Sequence, residues 1–348
     1  MISVSLEKFP RIPLVHLPTP MRKLENLSKE LGGPEIWIKR DDLTGVAFGG
    51  NKSRKLEYIL PDILAKKADI VVTWAALQSN WAMHTAAAVA RFGIKPVLIL
   101  FKRYDLPVEP DGNMLLDHIL GAEIRIREPL APGSAHTEDY LAVAEEVAAE
   151  LRSHGRKPYV VPIGGSRVMG DMTLPLGALA YVQAFGETLE QARGFGFEPD
   201  AIVHSSGSGS TQAGLVVGAK ILGSKARVVG ISVSEEKGPF TRDVAEIVEA
   251  TESALGTGTI VSPEDIIVFD EFIRDGYGII NRDVAGVIRL VFTREGIVLD
   301  PVYTSKAFVG MMDLIRRRYF MPADKLVFIH TGGTPALFPN RTKIAEYL

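Results

Sequence analysis

A chain of 348 residues with 46% hydrophobic and 23% charged residues has ordinary globular usage and is longer than one hydrophobic core fills, which excludes a disordered or collagen-like polymer and predicts two lobes. Thirty-nine Lys and Arg against 42 Asp and Glu leave a net charge of −3, so neither nucleic acid nor an anionic membrane is indicated, and the expected partner is a small molecule. The absence of cysteine removes disulfides, iron–sulfur clusters, thiolate zinc sites and any cysteine nucleophile together.

Residues 1–13 carry Glu7, Lys8 and Arg11 and lack an apolar signal region, and no uninterrupted apolar run reaches transmembrane length, so a cytoplasmic protein is expected. In chain order, apolar runs at 36–39, 70–73, 96–100 and 159–162 predict strands, and the same rhythm resumes at 201–204, 227–231 and 326–330. Amphipathic stretches lie between them, clearest at 138–151 and 303–319, and predict helices. Such alternation implies an α/β fold, with mostly parallel sheets flanked by helices. Glycine-rich breaks at Gly49-Gly50, Gly164-Gly165 and Gly207-Ser-Gly209 fall where open α/β sheets carry ligand loops. The first two are taken as lobe boundaries, giving a smaller α/β domain at 51–163 inserted into a larger one made of 1–50 and 164–348.

Several motifs fail informatively. The run from Gly45 to Ser53 resembles a phosphate-binding P-loop, but Asn51 separates the second glycine from Lys52, which argues against an NTPase or a small-molecule kinase. The run Gly207-Ser-Gly209-Ser-Thr-Gln212 starts like a dinucleotide fingerprint and then has Gln212 at the third glycine position. No Gly-x-Ser-x-Gly elbow occurs, and the seven histidines form no His-Glu-x-x-His pair, so no metal is expected.

Two segments carry more. Residues 49–57 open an amphipathic helix with Lys52, Arg54 and Lys55 in or near its first turn, where positive charge opposes the helix dipole unless an anion reverses the sign. Residues 201–214 read as a strand, a Gly- and hydroxyl-rich loop, and a helix over 212–222. Its N–H groups, with Ser208, Ser210 and Thr211, can wrap a phosphate without a metal. Each has a plainer alternative: a solvated surface lysine for the first, an ordinary Gly/Ser connection for the second. Together, a lysine loop and a phosphate cup point to a phosphorylated cofactor held covalently by lysine, which is pyridoxal 5'-phosphate. Ser79, within Gln78-Ser79-Asn80, is placed to cap a helix and face a ligand; Tyr277 lies between two glycines, and Asp300-Pro-Val-Tyr303-Thr304 and His330-Thr331 sit at element ends.

Read together, Lys39-Arg-Asp-Asp-Leu-Thr-Gly45, Gly-Gly-Asn-Lys-Ser-Arg-Lys-Leu-Glu, Gln-Ser-Asn, Gly-Ser-Thr-Gln-Ala-Gly, Leu-Asp-Pro-Val-Tyr and His-Thr-Gly-Gly make the chain resemble the D-cysteine desulfhydrase and 1-aminocyclopropane-1-carboxylate deaminase family, nearly end to end. The resemblance implies the tryptophan-synthase-β-like fold, with two open, twisted, mostly parallel sheets, and a homodimer. It implies that Lys52 forms the Schiff base with the cofactor and then serves as base at Cα, flanked by Asn51. Lys55 and Gly207, Ser208, Gly209, Ser210 and Thr211 would hold the phosphate, Asn80 the ring hydroxyl, and Thr331 the pyridine nitrogen. Ser79 would act on the substrate side, with Gln78 anchoring the carboxylate, while Tyr277 and Tyr303 flank the amino acid. By the same resemblance, cyclopropane-opening members carry Glu after Val-Tyr and a non-hydroxyl residue before the last Gly-Gly, whereas this chain has Thr304 and Thr331, which favours elimination from D-cysteine. Trp81-Ala-Met-His84 departs from the family's usual His and Arg-Gln-Thr-Ala, placing a bulky Trp81 beside the substrate. Cyclopropane deamination, sulfite elimination from cysteate and a non-catalytic amino-acid sensor stay open as alternatives.

Overall fold

The computed structural model describes residues 6–103, 106, 108–130, 138–258 and 260–348. It is an α/β structure with two mostly parallel sheets. The first has six strands in the order β1 (Met21–Lys23), β2 (Glu35–Lys39), β10 (Lys325–Ile329), β7 (Ala201–Ser206), β8 (Arg227–Ser232) and β9 (Ile267–Phe269). Only β1 runs antiparallel to its neighbour. The second has four parallel strands in the order β5 (Glu123–Arg127), β4 (Lys95–Phe101), β3 (Ile70–Ala76) and β6 (Pro158–Val160).

The helices in chain order are α1 (Glu25–Leu31), α2 (Asn51–Ala65), α3 (Asn80–Ala90), α4 (Gly112–Ile119), α5 (Glu138–Ser153), α6 (Leu176–Gly194), α7 (Ser210–Ile221), α8 (Lys237–Leu255), α9 (Arg282–Glu295), α10 (Thr304–Arg316) and α11 (Arg341–Ala345). All seven residues of β3 are buried, as expected for a central parallel strand covered on both faces. Between the sheets, Leu56, Ile59 and Ile63 of α2 pack with Val71, Trp81, Leu179, Val182 and Ala213 in one apolar cluster. The packing of α6 against α7 is set by two glycines. A Cβ on Gly214 would lie 2.2 Å from the Ala178 carbonyl oxygen, and one on Gly218 would lie 2.8 Å from Phe185 Cβ.

The seven expected strands form, with ends moved by local chemistry. The run at 159–162 stops at Val160 because Pro162 cannot donate to a ladder and instead precedes the short turn Ile163–Gly165. The helix expected at 212–222 starts two residues early, since Gly209, at φ +86°, ends the loop directly before Ser210. Among the described residues, no helix is long and apolar enough to cross a membrane.

Topology positions the site. In the six-stranded sheet the chain order reverses between β7 and β10, and in the four-stranded sheet between β3 and β6. Open parallel sheets bind ligands at the carboxyl ends of strands where the order reverses. Both reversals here empty into one cavity, lined by Ser205 and Ser206 at the end of β7, Thr331 after β10, Ala76 at the end of β3 with Ser79 beyond it, and Ile163 and Gly164 after β6.

Candidate active site

The three cations in the first turn of α2 meet three different fates. Arg54 turns away from the cavity and is 2% exposed. It donates to Asp41 from Nε at 3.0 Å and Nη2 at 2.8 Å, and to Glu187 from Nη1 at 3.0 Å and Nη2 at 2.8 Å. Lys39 and Tyr181 complete this network, at 2.5 Å from Glu187 and 2.7 Å from Asp41. The expectation that all three cations await an anionic ligand is therefore corrected for Arg54, which ties α2 to the turn after β2 and to α6 as an internal cross-link. Lys55 is fully buried and donates to Ser210 Oγ at 2.8 Å behind the cavity wall; burial first, and then the charge of Lys52, pull its pKa well down. Lys52 opens on the cavity. Burial lowers its pKa to about 8, against a smaller upward pull from Asp300.

The phosphate-cup loop folds as a turn into α7. Gly207, Ser208, Gly209 and Thr211 line the cavity, and α7 starts without a side-chain cap, so its first N–H groups keep their donor capacity there. Gly164 lets this loop pass closely, since a Cβ on it would lie 2.2 Å from Ser208 Oγ. Asn51 Nδ2 reaches Thr211 Oγ1 at 3.2 Å and joins the lysine turn to the loop. Ser210 does not line the cavity, because its hydroxyl receives Lys55.

Ser79 is the N-cap of α3, its Oγ accepting from Trp81 and Ala82 N–H at 3.1 and 3.2 Å, while it also lines the cavity. Asn80 Oδ1 accepts from Asn113 Nδ2 at 2.9 Å, which fixes the amide and leaves its NH2 as the donor side. Gln78 does not line the cavity: its Oε1 accepts from Asn113 N–H at 2.9 Å and its Nε2 donates to the Asp111 carbonyl at 3.0 Å. Trp81 lines the cavity but is 2% exposed, with Nε1 donating to Thr73 Oγ1 at 2.8 Å. His84 accepts no charge there, as burial lowers its pKa to about 4.

On the other side, Thr331 Oγ1 and Ser205 Oγ are 3.0 Å apart. Tyr277 and Tyr303 line the cavity with their hydroxyls 2.5 Å apart, and burial raises the Tyr277 pKa. Thr304 is absent from the lining; its Oγ1 donates to Asp300 Oδ1 at 2.6 Å. Residues that sequence reasoning missed include Asp300, fully buried, whose carboxylate also accepts from Val302, Tyr303 and Thr304 N–H at 2.9, 2.9 and 2.7 Å. The position of Asp300 just before a helix start was the available signal. Arg103 and Ser205 also line the cavity, and Lys306 donates to the carbonyls of Ile273 and Gly276 at 2.9 and 2.5 Å, holding the turn before Tyr277. Nothing local in the sequence marks these three.

A family model described as pyridoxal-phosphate dependent enzyme matches residues 12–332. The 1-aminocyclopropane-1-carboxylate deaminase of Burkholderia vietnamiensis is 38% identical, over 96% of this chain and 97% of that one. The D-cysteine desulfhydrase of Klebsiella pneumoniae is 36% identical over the same shares, 96% and 97%. A crystal structure described as that of an ACC deaminase homologue is 41% identical and superposes with a TM-score of 0.88, covering 100% of this chain and 99% of the other. The residues present fit pyridoxal phosphate. A lysine amine of lowered pKa can condense with its aldehyde, and an uncapped helix start with Ser208 and Thr211 can take its phosphate.

Proposed function

The chain belongs to the pyridoxal-phosphate-dependent enzymes, and from that premise we propose that it is a lyase acting on a small β-substituted amino acid, with D-cysteine broken down to pyruvate, ammonia and sulfide. The observation that carries the reading is the Lys52 amine, lowered to about 8 and opening on a cavity that Ser79, Tyr277, Tyr303 and Thr331 also line. When bound, pyridoxal phosphate supplies an aldehyde for amines and an electron sink for the pair released at Cα.

The chain's own groups divide the remaining work. Lys52 anchors the cofactor and, once released, its Nζ takes the Cα proton; a pKa near 8 keeps a useful neutral fraction near neutral pH. Gly207, Ser208, Gly209 and Thr211 hold the phosphate, and Lys55 steadies that loop from behind through Ser210. Asn80, its amide oriented by Asn113, supplies a donor for the ring hydroxyl. Ser79 lies at the start of α3 beside the substrate, and the joined hydroxyls of Tyr277 and Tyr303 can pass a proton along the wall. Gln78 acts only indirectly, by placing Asn113.

The choice of D-cysteine rests on Thr331, a hydroxyl where a carboxylate would stabilise a positive ring nitrogen. A weaker sink favours prompt loss of the β-substituent. The companion argument from Thr304 loses force, because that side chain is spent on Asp300, and the cyclopropane reading keeps its weight through the 41% identical structure. The deciding experiment offers the holoenzyme D-cysteine, L-cysteine and 1-aminocyclopropane-1-carboxylate and identifies the keto acid. Pyruvate with sulfide from D-cysteine is expected; 2-oxobutyrate from the cyclopropane substrate as the main product overturns the choice.

A further inference from the structure

The hydroxyls of Tyr277 and Tyr303 meet in the cavity wall although the two residues come from separate segments, and one helix holds both. Tyr303 is the N-cap of α10, and Asp300 fixes the backbone there by accepting from Tyr303 and Thr304 N–H. Three residues on, Lys306 projects from the same side of the first turn and donates to the carbonyls of Ile273 and Gly276 at 2.9 and 2.5 Å. The Gly276 carbonyl belongs to the planar peptide unit that enters Tyr277, so a grip on it orients that residue's backbone. Tyr277 is thus tied to α10 twice, through its backbone by Lys306 and through its hydroxyl by Tyr303, with the two rings edge to face at 5.9 Å.

The turn itself is weakly built. Arg274, Gly276 and Gly278 have φ of +55°, +130° and +74°, so the segment forms no ladder. Its backbone bonds from Gly276 N–H to the Ile273 carbonyl and from Ile279 N–H to the Gly276 carbonyl are long, at 3.2 and 3.3 Å. Lys306 uses the remaining acceptor capacity of the same two carbonyls. It is 1% exposed, and burial lowers its pKa to about 8 against a smaller upward pull from Asp275. An apolar side chain would fill this space without that desolvation penalty, so packing does not account for a lysine here. We propose that Lys306 is a positioning residue for the reaction: from the first turn of α10 it clamps the Ile273 and Gly276 carbonyls and so sets the Tyr277 hydroxyl against that of Tyr303 in the cavity wall. The inference rests on the elimination reading of the same cavity and adds to it a residue that does not line the cavity.

The test reads two quantities in the holoenzyme: amide hydrogen exchange over residues 274–279, and kcat for pyruvate formation from β-chloro-D-alanine. Lys306→Met is expected to speed that exchange at least about tenfold, the scale of one charge-assisted hydrogen bond. It is also expected to lower kcat about fivefold with KM nearly unchanged, as removal of the Tyr277 hydroxyl should. In a Tyr277→Phe background the same substitution should change kcat by less than about twofold, because the group it places is already gone. The chain has no cysteine, so Lys306→Cys carries a single thiol, which bromoethylamine converts in the unfolded chain to an ammonium of nearly the original length. Refolded with pyridoxal phosphate, that product is expected to recover slow exchange and most of the rate. Unchanged exchange in Lys306→Met, or an equal loss of kcat in both backgrounds, overturns the proposal; should that variant not fold, Lys306→Gln is held to the same two measures. A wild type that forms no pyruvate defeats the elimination reading, and the exchange comparison, which needs no turnover, still decides whether Lys306 clamps the turn.

Discussion

Two charged regions share helix α2 and obey opposite rules. Around Arg54, every charge is matched: Asp41 and Glu187 bind its guanidinium, and Lys39 closes the network at 2.5 Å. Burial alone would raise the Glu187 carboxyl, yet Arg54 and Lys39 outweigh it and hold its pKa at about 2. Two residues earlier, no carboxylate stands among the described residues that line the cavity with Lys52, and burial drives its pKa down to about 8. Matched charge holds elements together and is chemically quiet. Unmatched charge is costly to fold and available to a ligand.

The largest effect should come from the unmatched side. Lys52→Ala removes both the covalent anchor and the base, and turnover should fall by more than about a hundredfold. Folding should respond in the other direction. A lysine whose folded pKa is depressed from 10.5 to about 8 loses stability where it must be charged, so wild-type apoprotein gains stability as pH rises from about 8 to 10.5. Apo Lys52→Ala should lack that slope and be no less stable than wild type at neutral pH, as read by denaturant unfolding. A variant that is active, or that unfolds readily at neutral pH, would break the contrast.

The matched side should yield next. Arg54→Met leaves two carboxylates facing each other in the interior and should cost about 3–5 kcal/mol of stability. Because the Glu187 pKa is depressed, wild-type stability from this group is present above about 4.5 and is lost as pH falls towards 2. Acid titration of unfolding should show that loss in wild type and much less of it in Arg54→Met. A folded variant with unchanged stability would mean the network does not brace α2 against α6.

How much of this was legible beforehand follows from range. Local signals worked: the apolar runs marked the inner strands, and the loop 207–211 announced its own turn. Ser79 was readable as a cap, which the bonds to Trp81 and Ala82 bear out. The motifs inferred to converge do line one cavity; what failed was the fate of particular side chains whose partners lie far off in the chain. Arg54 pairs with Glu187 across 133 residues, and Gln78 meets Asn113 across 35, so neither fate is written near the residue itself. Thr304 failed at short range for another reason: Asp300, four residues back, competes for its hydroxyl. The short strands β1 and β9 and the charged alternation of β5 were also too weak as patterns to be read.

Asp300, tied into its own local hydrogen bonds, also acts on the unmatched lysine and supplies the next test. Its carboxylate holds the start of α10 and is also the charge that raises the Lys52 pKa. Asp300→Asn removes the charge with little change of shape and should cost about 2 kcal/mol, the scale of hydrogen bonds to an ionised group. The Lys52 pKa should then fall further, so pyridoxal phosphate with borohydride should label Lys52 at lower pH than in wild type. Lost stability without any shift in labelling would assign Asp300 to structure alone.

The smallest effect should come from Tyr277→Phe, which deletes one hydroxyl of the pair and keeps the ring beside Arg103. The lost hydrogen bond is worth about 1 kcal/mol, or roughly fivefold in rate if it acts in the transition state. Burial already raises the Tyr277 pKa, so its hydroxyl stays protonated at working pH and Tyr303 can still face the substrate without it. The expected result is a modest fall in kcat with KM and unfolding nearly unchanged. A loss as deep as that of Lys52→Ala would instead make Tyr277 an obligatory proton donor, and the unmatched region would then depend on two indispensable groups acting in series.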